Sequence, residues 1–274
     1  MSSYLYKNKK KKYFKNYPII SVVTCVLNGE KVLEKTIRNV TKQSYKNLEY
    51  IVVYTPSKDK TWDIIMKYSD KIDKIVMNSK VGIYQAFNAG LKRASGDWIN
   101  YMNAGDYFFN KNTIKNVFAK KISSDIIYSG SIVDYPNFKR FIKPSRLSEI
   151  KWQMPFSHQS CFVKLKIHKK YPFKVKYSLA ADYDLFYVLK LKKKKFYEIN
   201  KTISVSMAFG IVDRMKILTI FQNYLISKSY RDFNIFDYFF YFSKILIFIL
   251  TGTIKKFIPN FILLNLLRYK YQSV

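Results

Sequence analysis

The sequence predicts an α/β layered domain with a mostly parallel central sheet, followed by a helical tail. Three observations carry this expectation. Strand-like and helix-like segments alternate three times in the first hundred residues, the order that produces parallel strands covered by helices. The first strand-like segments are rich in β-branched and apolar residues on both faces, as strands buried on both sides are. After Gly210 the composition turns to Phe, Ile, Leu and Tyr punctuated by Lys and Arg, which marks a second region.

Taken in order, residues 1–17 form a basic extension, "MSSYLYKNKKKKYFKNY". No apolar stretch long enough for a signal peptide follows it, so the expected workplace is the cytoplasmic side of a membrane. The run "IISVVTCVL" from Ile19 to Leu27 is the first strand, broken by Asn28 and Gly29. Leu33, Ile37 and Val40 then share one helix stripe. "LEYIVVY" from Leu48 is the second strand, before the turn "TPSKDKT" and a helix through Trp62, Ile65 and Tyr68. "KIVM" from Lys74 is the third, before a helix from Ile83 to Arg93, and "GDWINYM" is the fourth. Further on, "SDIIYSGSIVDY" predicts a strand and a turn, and "KRFIKPSRLSEIKWQMPF" an extended piece with a short helix. "SHQSCFVKLKIHKKYPF" predicts a strand and a helical turn, and "AADYDLFYVLKLKKKKF" a helix opened by Asp182. Ligands of such sheets bind outside the carboxyl ends of the strands, where Asn28, Tyr54, Lys80 and Asn103 to Asp106 would gather.

Apolar residues make up 49% of the 274, which excludes general disorder. Lys and Arg number 49 against 18 Asp and Glu, a net charge of +31. Such a field favours an anionic partner: nucleic acid, an anionic membrane surface or a nucleotide-linked substrate. No zinc-finger, RNP-like or recognition-helix pattern is present and most aromatics lie in apolar runs, so no specific nucleic acid is expected. Cys25 and Cys161 sit in apolar contexts as buried free thiols. In the tail, Lys244 is the only charged residue from Tyr238 to Ile254, at the short edge of the roughly 20 apolar residues a membrane span needs. Lys255, Lys256, Arg268 and Lys270 stand where interfacial helices place basic residues. Amphipathic membrane-surface helices are the expectation, with a partner-covered or core helix pair and a span as alternatives.

Three clusters carry possible chemistry. Asp106 with Asn103, in "WINYMNAGDYFF", offers oxygen ligands to a hard cation at a strand end, or is an ordinary turn. One of Asp182 and Asp184 is a general base candidate, or both are residues favoured by a helix N-terminus; two apart, they cannot share one helix face, so at most one points into a cleft, and the helix start does not say which. His158 beside Gln159 suits a sugar or phosphate, or a structural role. His168 is expected at the surface.

In this order, "ISVVTCVLNGEKVLEKTIRNVTKQSYKNLEYIVV", "GIYQAFNAGLKRASGDWINYMNAGDYF", "HQSCFV" and "AADYDL" resemble the family 2 glycosyltransferases of the GT-A fold. The likeness is strongest to bacterial enzymes of colanic-acid-like exopolysaccharide, capsule and lipopolysaccharide synthesis. It covers roughly residues 18–210, leaving 211–274 as the tail. The resemblance implies a three-layer GT-A sandwich that moves a monosaccharide, with inversion, from a nucleotide-diphosphate sugar to a saccharide or lipid-linked acceptor. It implies Mn²⁺ or Mg²⁺ and work at the inner face of the bacterial cytoplasmic membrane, and a homo-oligomer is compatible with it. Asp106 matches the metal-binding aspartate, with Asn103 at that motif's first position, and Asp182 matches the catalytic base. His158, Gln159 and Asp184 would line the donor or acceptor cleft. Thr24, Leu27, Asn28, Tyr54, Lys80, Tyr84, Asn88, Asn103 and Ala104 would form the donor pocket. Tyr54, Lys80 and Gln85 stand where relatives carry acidic residues, although Asp59 keeps a second aspartate. Either Tyr54 stacks on the base while Lys80 approaches phosphate, or the chain is a catalytically silent relative that binds membranes or polyanions.

Overall fold

The computed structural model describes residues 3–9, 11–208, 210 and 214–256. Its main sheet contains β1 (Ser3–Asn8), β2 (Ile20–Val26), β3 (Leu48–Tyr54), β4 (Lys74–Asn78), β5 (Trp98–Tyr101), β7 (Ile126–Tyr128), β10 (Cys161–Lys164) and β11 (Phe196–Glu198). Their order is β1-β4-β3-β2-β5-β10-β7-β11. The β4-β3-β2-β5 block is wholly parallel, so its carboxyl ends open on one edge. β1 and β10 run antiparallel to their neighbours. A smaller sheet follows the order β6 (Tyr107–Phe108), β12 (Ser204–Met207), β8 (Ser131–Asp134), β9 (Lys139–Ile142).

Side-chain alternation divides the core into two layers. Val23, Cys25, Ile51 and Val53 point to the face covered by α3 (Ile83–Arg93), α5 (Leu165–Lys170) and α6 (Ala181–Leu191). Ile20, Val22, Val26, Tyr50 and Val52 point to the other, under α1 (Leu33–Thr41), α2 (Thr61–Lys67) and α4 (Thr113–Val117). This is the period of two that a strand imposes, and both faces of β2 and β3 are buried along their whole length. Both cysteines are free and buried.

Two features differ from the sequence reading. The basic extension, for which no strand was expected, supplies β1, which hydrogen-bonds to β4 and covers what would be an open sheet edge. His168, expected at the surface, is fully buried. Its Nε2 meets the Tyr101 hydroxyl at 3.0 Å and its Nδ1 the Tyr171 carbonyl at 3.0 Å. The flanking lysines made its segment look solvated, but the residue lies on the inner side of α5.

The tail folds as α7 (Lys216–Tyr230) and α8 (Ile235–Lys256). Arg268 and Lys270 lie outside the described residues, and of Lys255 and Lys256 only the helical backbone is described. Among the described residues no helix is long and apolar enough to cross a membrane.

Burial pushes the His168 pKa down to about 4 from its ordinary 6.5. The group therefore stabilises the fold fully above pH 6.5, and that contribution is lost as pH falls from 6.5 towards 4, by up to about 1.4 kcal/mol per pH unit. Denaturant titrations across this range should show a shallower slope for His168→Gln than for the wild type. Equal slopes would mean that the imidazole takes up its proton without unfolding cost.

Candidate active site

The loop after β5 is built to present two oxygen-bearing side chains. Gly105 has φ +99°, and a Cβ there would meet the Met207 sulfur at 2.9 Å, so the reversal needs glycine. Thr36, buried on α1, accepts from the Gly105 N–H at 2.9 Å and donates to the Asp106 carbonyl at 2.8 Å. That clamp leaves Asn103 and Asp106 on the wall of a cavity of about 470 Å³, within the usual range for small-ligand pockets.

Asp106 is 7% exposed. Gln159 Nε2 donates to its Oδ2 at 2.7 Å, and the Met207 N–H to its Oδ1 at 3.1 Å. Burial raises its pKa, and these hydrogen bonds, with the positive charge of Lys35, work against the rise. Ser157 Oγ donates to Gln159 Oε1, which orients the amide with its NH₂ towards Asp106.

Asp182, in the first turn of α6, lines the same cavity. Tyr84 donates its hydroxyl to Oδ1 at 2.8 Å, and the Tyr183 N–H reaches the same oxygen at 2.9 Å. Oδ2 lies 3.1 Å from His158 Nδ1. On the other side of that ring, Asn103 Nδ2 lies 3.2 Å from Nε2. These partners assign the proton to Nδ1, donating to Asp182, while Nε2 accepts from Asn103. Burial alone would raise the Asp182 pKa; the hydrogen bonds from His158, Tyr84 and Tyr183 outweigh it and hold the group below the ordinary carboxylate value.

One short turn, His158–Ser160, thus touches both acidic positions. His158 reaches Asp182 and Asn103; Gln159 reaches Asp106. The two carboxylates predicted to face a common cleft do so.

A divalent cation fits the first loop in part. Asn103 Oδ1 is buried with no hydrogen-bond partner, and each Asp106 oxygen accepts one of the two hydrogen bonds it can take. Hard cations take oxygen donors, and Mg²⁺ in particular keeps several sites for water or phosphate. Among the described residues no three His, Cys, Asp or Glu side chains gather at one point, so an ion here would share its shell with a ligand.

The other candidates separate into groups. Tyr84 and Ala104 line the cavity. Leu27 and Asn28 are exposed at the carboxyl end of β2; Asn28 has φ +51° and ties this loop to Ser57 and Lys58. Lys80 is exposed in a separate shallow pocket near Asn78 and Gln85. Thr24 is a correction: its side chain lies in the core, donating to the Met102 carbonyl at 2.8 Å and accepting from Tyr50 at 3.1 Å. Asn88 lines the same shallow pocket as Lys80, and both its amide atoms bind the Phe173 backbone.

Tyr54 offers no stacking face. It shares the strand face of Tyr50 and Val52, packs on Trp62 at 5.0 Å, and accepts from the Ser57 N–H. Asp184 also departs from its expected place. It is 2% exposed on the far side of α6, bound to Lys174 at 3.2 Å and to Tyr230 at 2.7 Å. Asp59 accepts from the N–H and the hydroxyl of Thr61 at the start of α2.

Sequence reasoning missed Thr36, Asn223 and Thr219. The last two lie on α7 and line the cavity, and Asn223 Oδ1 is buried without a hydrogen-bond partner. The polar pair Gln222-Asn223 inside an apolar helix was the one available signal.

This layered architecture, with its reactive groups beyond the carboxyl ends of parallel strands, is the GT-A fold. The chain belongs to glycosyl transferase family 2, whose model matches residues 21–185. An uncharacterized glycosyltransferase of Rickettsia typhi is 32% identical over 135 residues, 47% of this chain and 42% of that protein. A PGL/p-HBAD biosynthesis glycosyltransferase of Mycobacterium bovis is 25% identical over 174 residues, 61% of this chain and 68% of that one. Alignment therefore spans less than half of the Rickettsia protein. S. aureus TarS 1-349 in complex with UDP has a TM-score of 0.62 at 18% identity, covering 79% of this chain and 67% of that one. A mannosyltransferase from Pyrobaculum calidifontis in complex with GDP-Man and Mn²⁺ has a TM-score of 0.62 at 16% identity, covering 80% and 66%.

Because Asp184 anchors α6 to α7, Asp184→Ala should lower unfolding free energy by on the order of 2 kcal/mol, the scale of a lost charged hydrogen-bond pair. Nucleotide binding should persist. Wild-type stability with abolished turnover would instead make Asp184 part of the chemistry.

Proposed function

We propose that this chain transfers a monosaccharide from a nucleotide-diphosphate sugar to an acceptor hydroxyl by a single inverting displacement. The observation that carries the reading is the pairing of Asp106 and Asp182 across one cavity, joined through Gln159 and His158. Asn103 and Asp106 would hold Mn²⁺ or Mg²⁺ together with the donor diphosphate, and the ion would neutralise charge developing on the leaving nucleotide. Asp182 would accept the acceptor proton as the hydroxyl oxygen bonds to the anomeric carbon and the bond to the diphosphate oxygen breaks. The hydrogen bonds that keep Asp182 ionised also fix its direction, which a general base needs.

The nucleoside end of the donor is assigned to the carboxyl ends of β2 to β4. With Tyr54 committed to Trp62, exposed Leu27 is the apolar surface available to a base, and exposed Lys80 is free to approach phosphate. Asn223 and Thr219 are assigned to the acceptor side. The reading is of surface polysaccharide or glycolipid synthesis at the inner face of the bacterial cytoplasmic membrane, supported by the family and the basic chain.

Asp182→Ala should retain donor binding while turnover falls by roughly 10² to 10⁴. Asp106→Ala should weaken Mn²⁺-dependent nucleotide binding. Calorimetry with uridine, guanosine and deoxythymidine diphosphates, alongside nucleotide release from the matching sugars, checks both. No binding of any nucleotide by the wild type with Mn²⁺ would leave the silent relative as the better reading.

A further inference from the structure

The α7–α8 hairpin has two different sides. Its inner side is fixed to the domain by specific bonds. Asp237 receives two hydrogen bonds from Arg231, at 2.7 and 2.6 Å, and one from Trp152 Nε1 at 2.6 Å. Tyr241 donates to the Trp152 carbonyl at 2.7 Å, Lys244 to Gln153, and Trp152 stacks on Phe240. The outer side of α8 carries Phe236, Phe239, Phe242, Leu246 and Leu250, each between 43% and 75% exposed. On α7, Ile217, Phe221 and Leu225 are exposed as well. At 100° per residue, the outer positions of α8 form one arc opposite Asp237, Tyr241 and Lys244.

Charge selects the occupant of this face. Positions 214–256 contain seven basic and two acidic residues, and one of the acids, Asp237, is buried in the Arg231 pair. Lys228 stands at the rim of the apolar face, over the rings of Tyr224 and Tyr238. A second copy would bring another chain of net charge +31 against the first, which like-charge repulsion opposes. An anionic bilayer satisfies both the apolar arc and its basic rim.

We propose that the outer face of the α7–α8 hairpin docks flat on an anionic lipid bilayer, with Phe236, Phe239 and Phe242 inserted at the headgroup boundary. α7 also lines the cavity through Thr219 and Asn223, so docking sets the acceptor end of the cavity about one helix diameter, roughly 10 Å, from the lipid. The acceptor class that suits this placement is a saccharide carried on a lipid. That consequence rests on the glycosyl-transfer reading; the docking itself does not.

The test is co-sedimentation of the full chain with phosphatidylcholine vesicles, with and without phosphatidylglycerol. The wild type should pellet with the anionic vesicles far more than with the zwitterionic ones. Phe236→Ser/Phe239→Ser/Phe242→Ser should reduce partitioning by about tenfold or more, given the apolar area withdrawn. Lys228→Glu should reduce only the phosphatidylglycerol-dependent part. Wild-type protein left in solution with both vesicle types would overturn the proposal, as would undiminished binding by the triple variant. So would a dimer, seen by sedimentation velocity without vesicles, that the triple variant dissolves. Nucleotide- and Mn²⁺-dependent thermal shifts on the same samples show whether the variant is folded. A wild type that binds vesicles without any such shift would retain the docking and remove the donor reading.

Discussion

The structure turns on the His158–Gln159 pair. Asp106 and Asp182 reach one cavity from different elements, one from a loop after a parallel strand and the other from a helix start. Neither carboxylate would hold its direction without a donor. Gln159 supplies one to Asp106 and His158 one to Asp182, while the far nitrogen of the same imidazole is met by Asn103. One short turn thereby holds both groups. This connection joins two sparse acidic positions at one cavity in a chain that is otherwise overwhelmingly basic.

Support for that pair extends into the rest of the fold. Thr36 clamps the Asp106 loop from α1, and Tyr84 brings α3 onto Asp182. Asp184, two residues further along α6, faces away and binds Lys174 and Tyr230. Two neighbouring aspartates on one helix therefore have separate work: one turns towards the cavity, and the other ties the helix to the tail. Their environments push apart what their sequence context makes similar.

Much of this was readable from residue order alone. The alternating segments defined the parallel block because burial on both faces leaves a strong apolar signature at β2 and β3. The family motifs indicated Asp106, Asp182, His158 and Gln159, and the helix period already required Asp182 and Asp184 to diverge. What the pattern did not reveal depends on contacts between distant segments. Which aspartate faces the cavity is decided by what packs on α6. Tyr54 was proposed as a stacking platform, but strand alternation puts it on the face of Tyr50 and Val52, against Trp62. Thr24 and Asn88 bind the protein's own backbone. The tail contributes Asn223 to the cavity wall because α7 returns to the domain, a long-range event that local composition does not encode.

The most direct test of the account is anomalous diffraction from crystals soaked with Mn²⁺ and a nucleoside diphosphate. One Mn²⁺ peak is expected between the Asn103 side-chain oxygen and the Asp106 carboxylate, with the diphosphate beside it and Asp182 in the same cavity. A nucleotide bound elsewhere, or an ion held away from that loop while the cavity stays closed to phosphate, would contradict it.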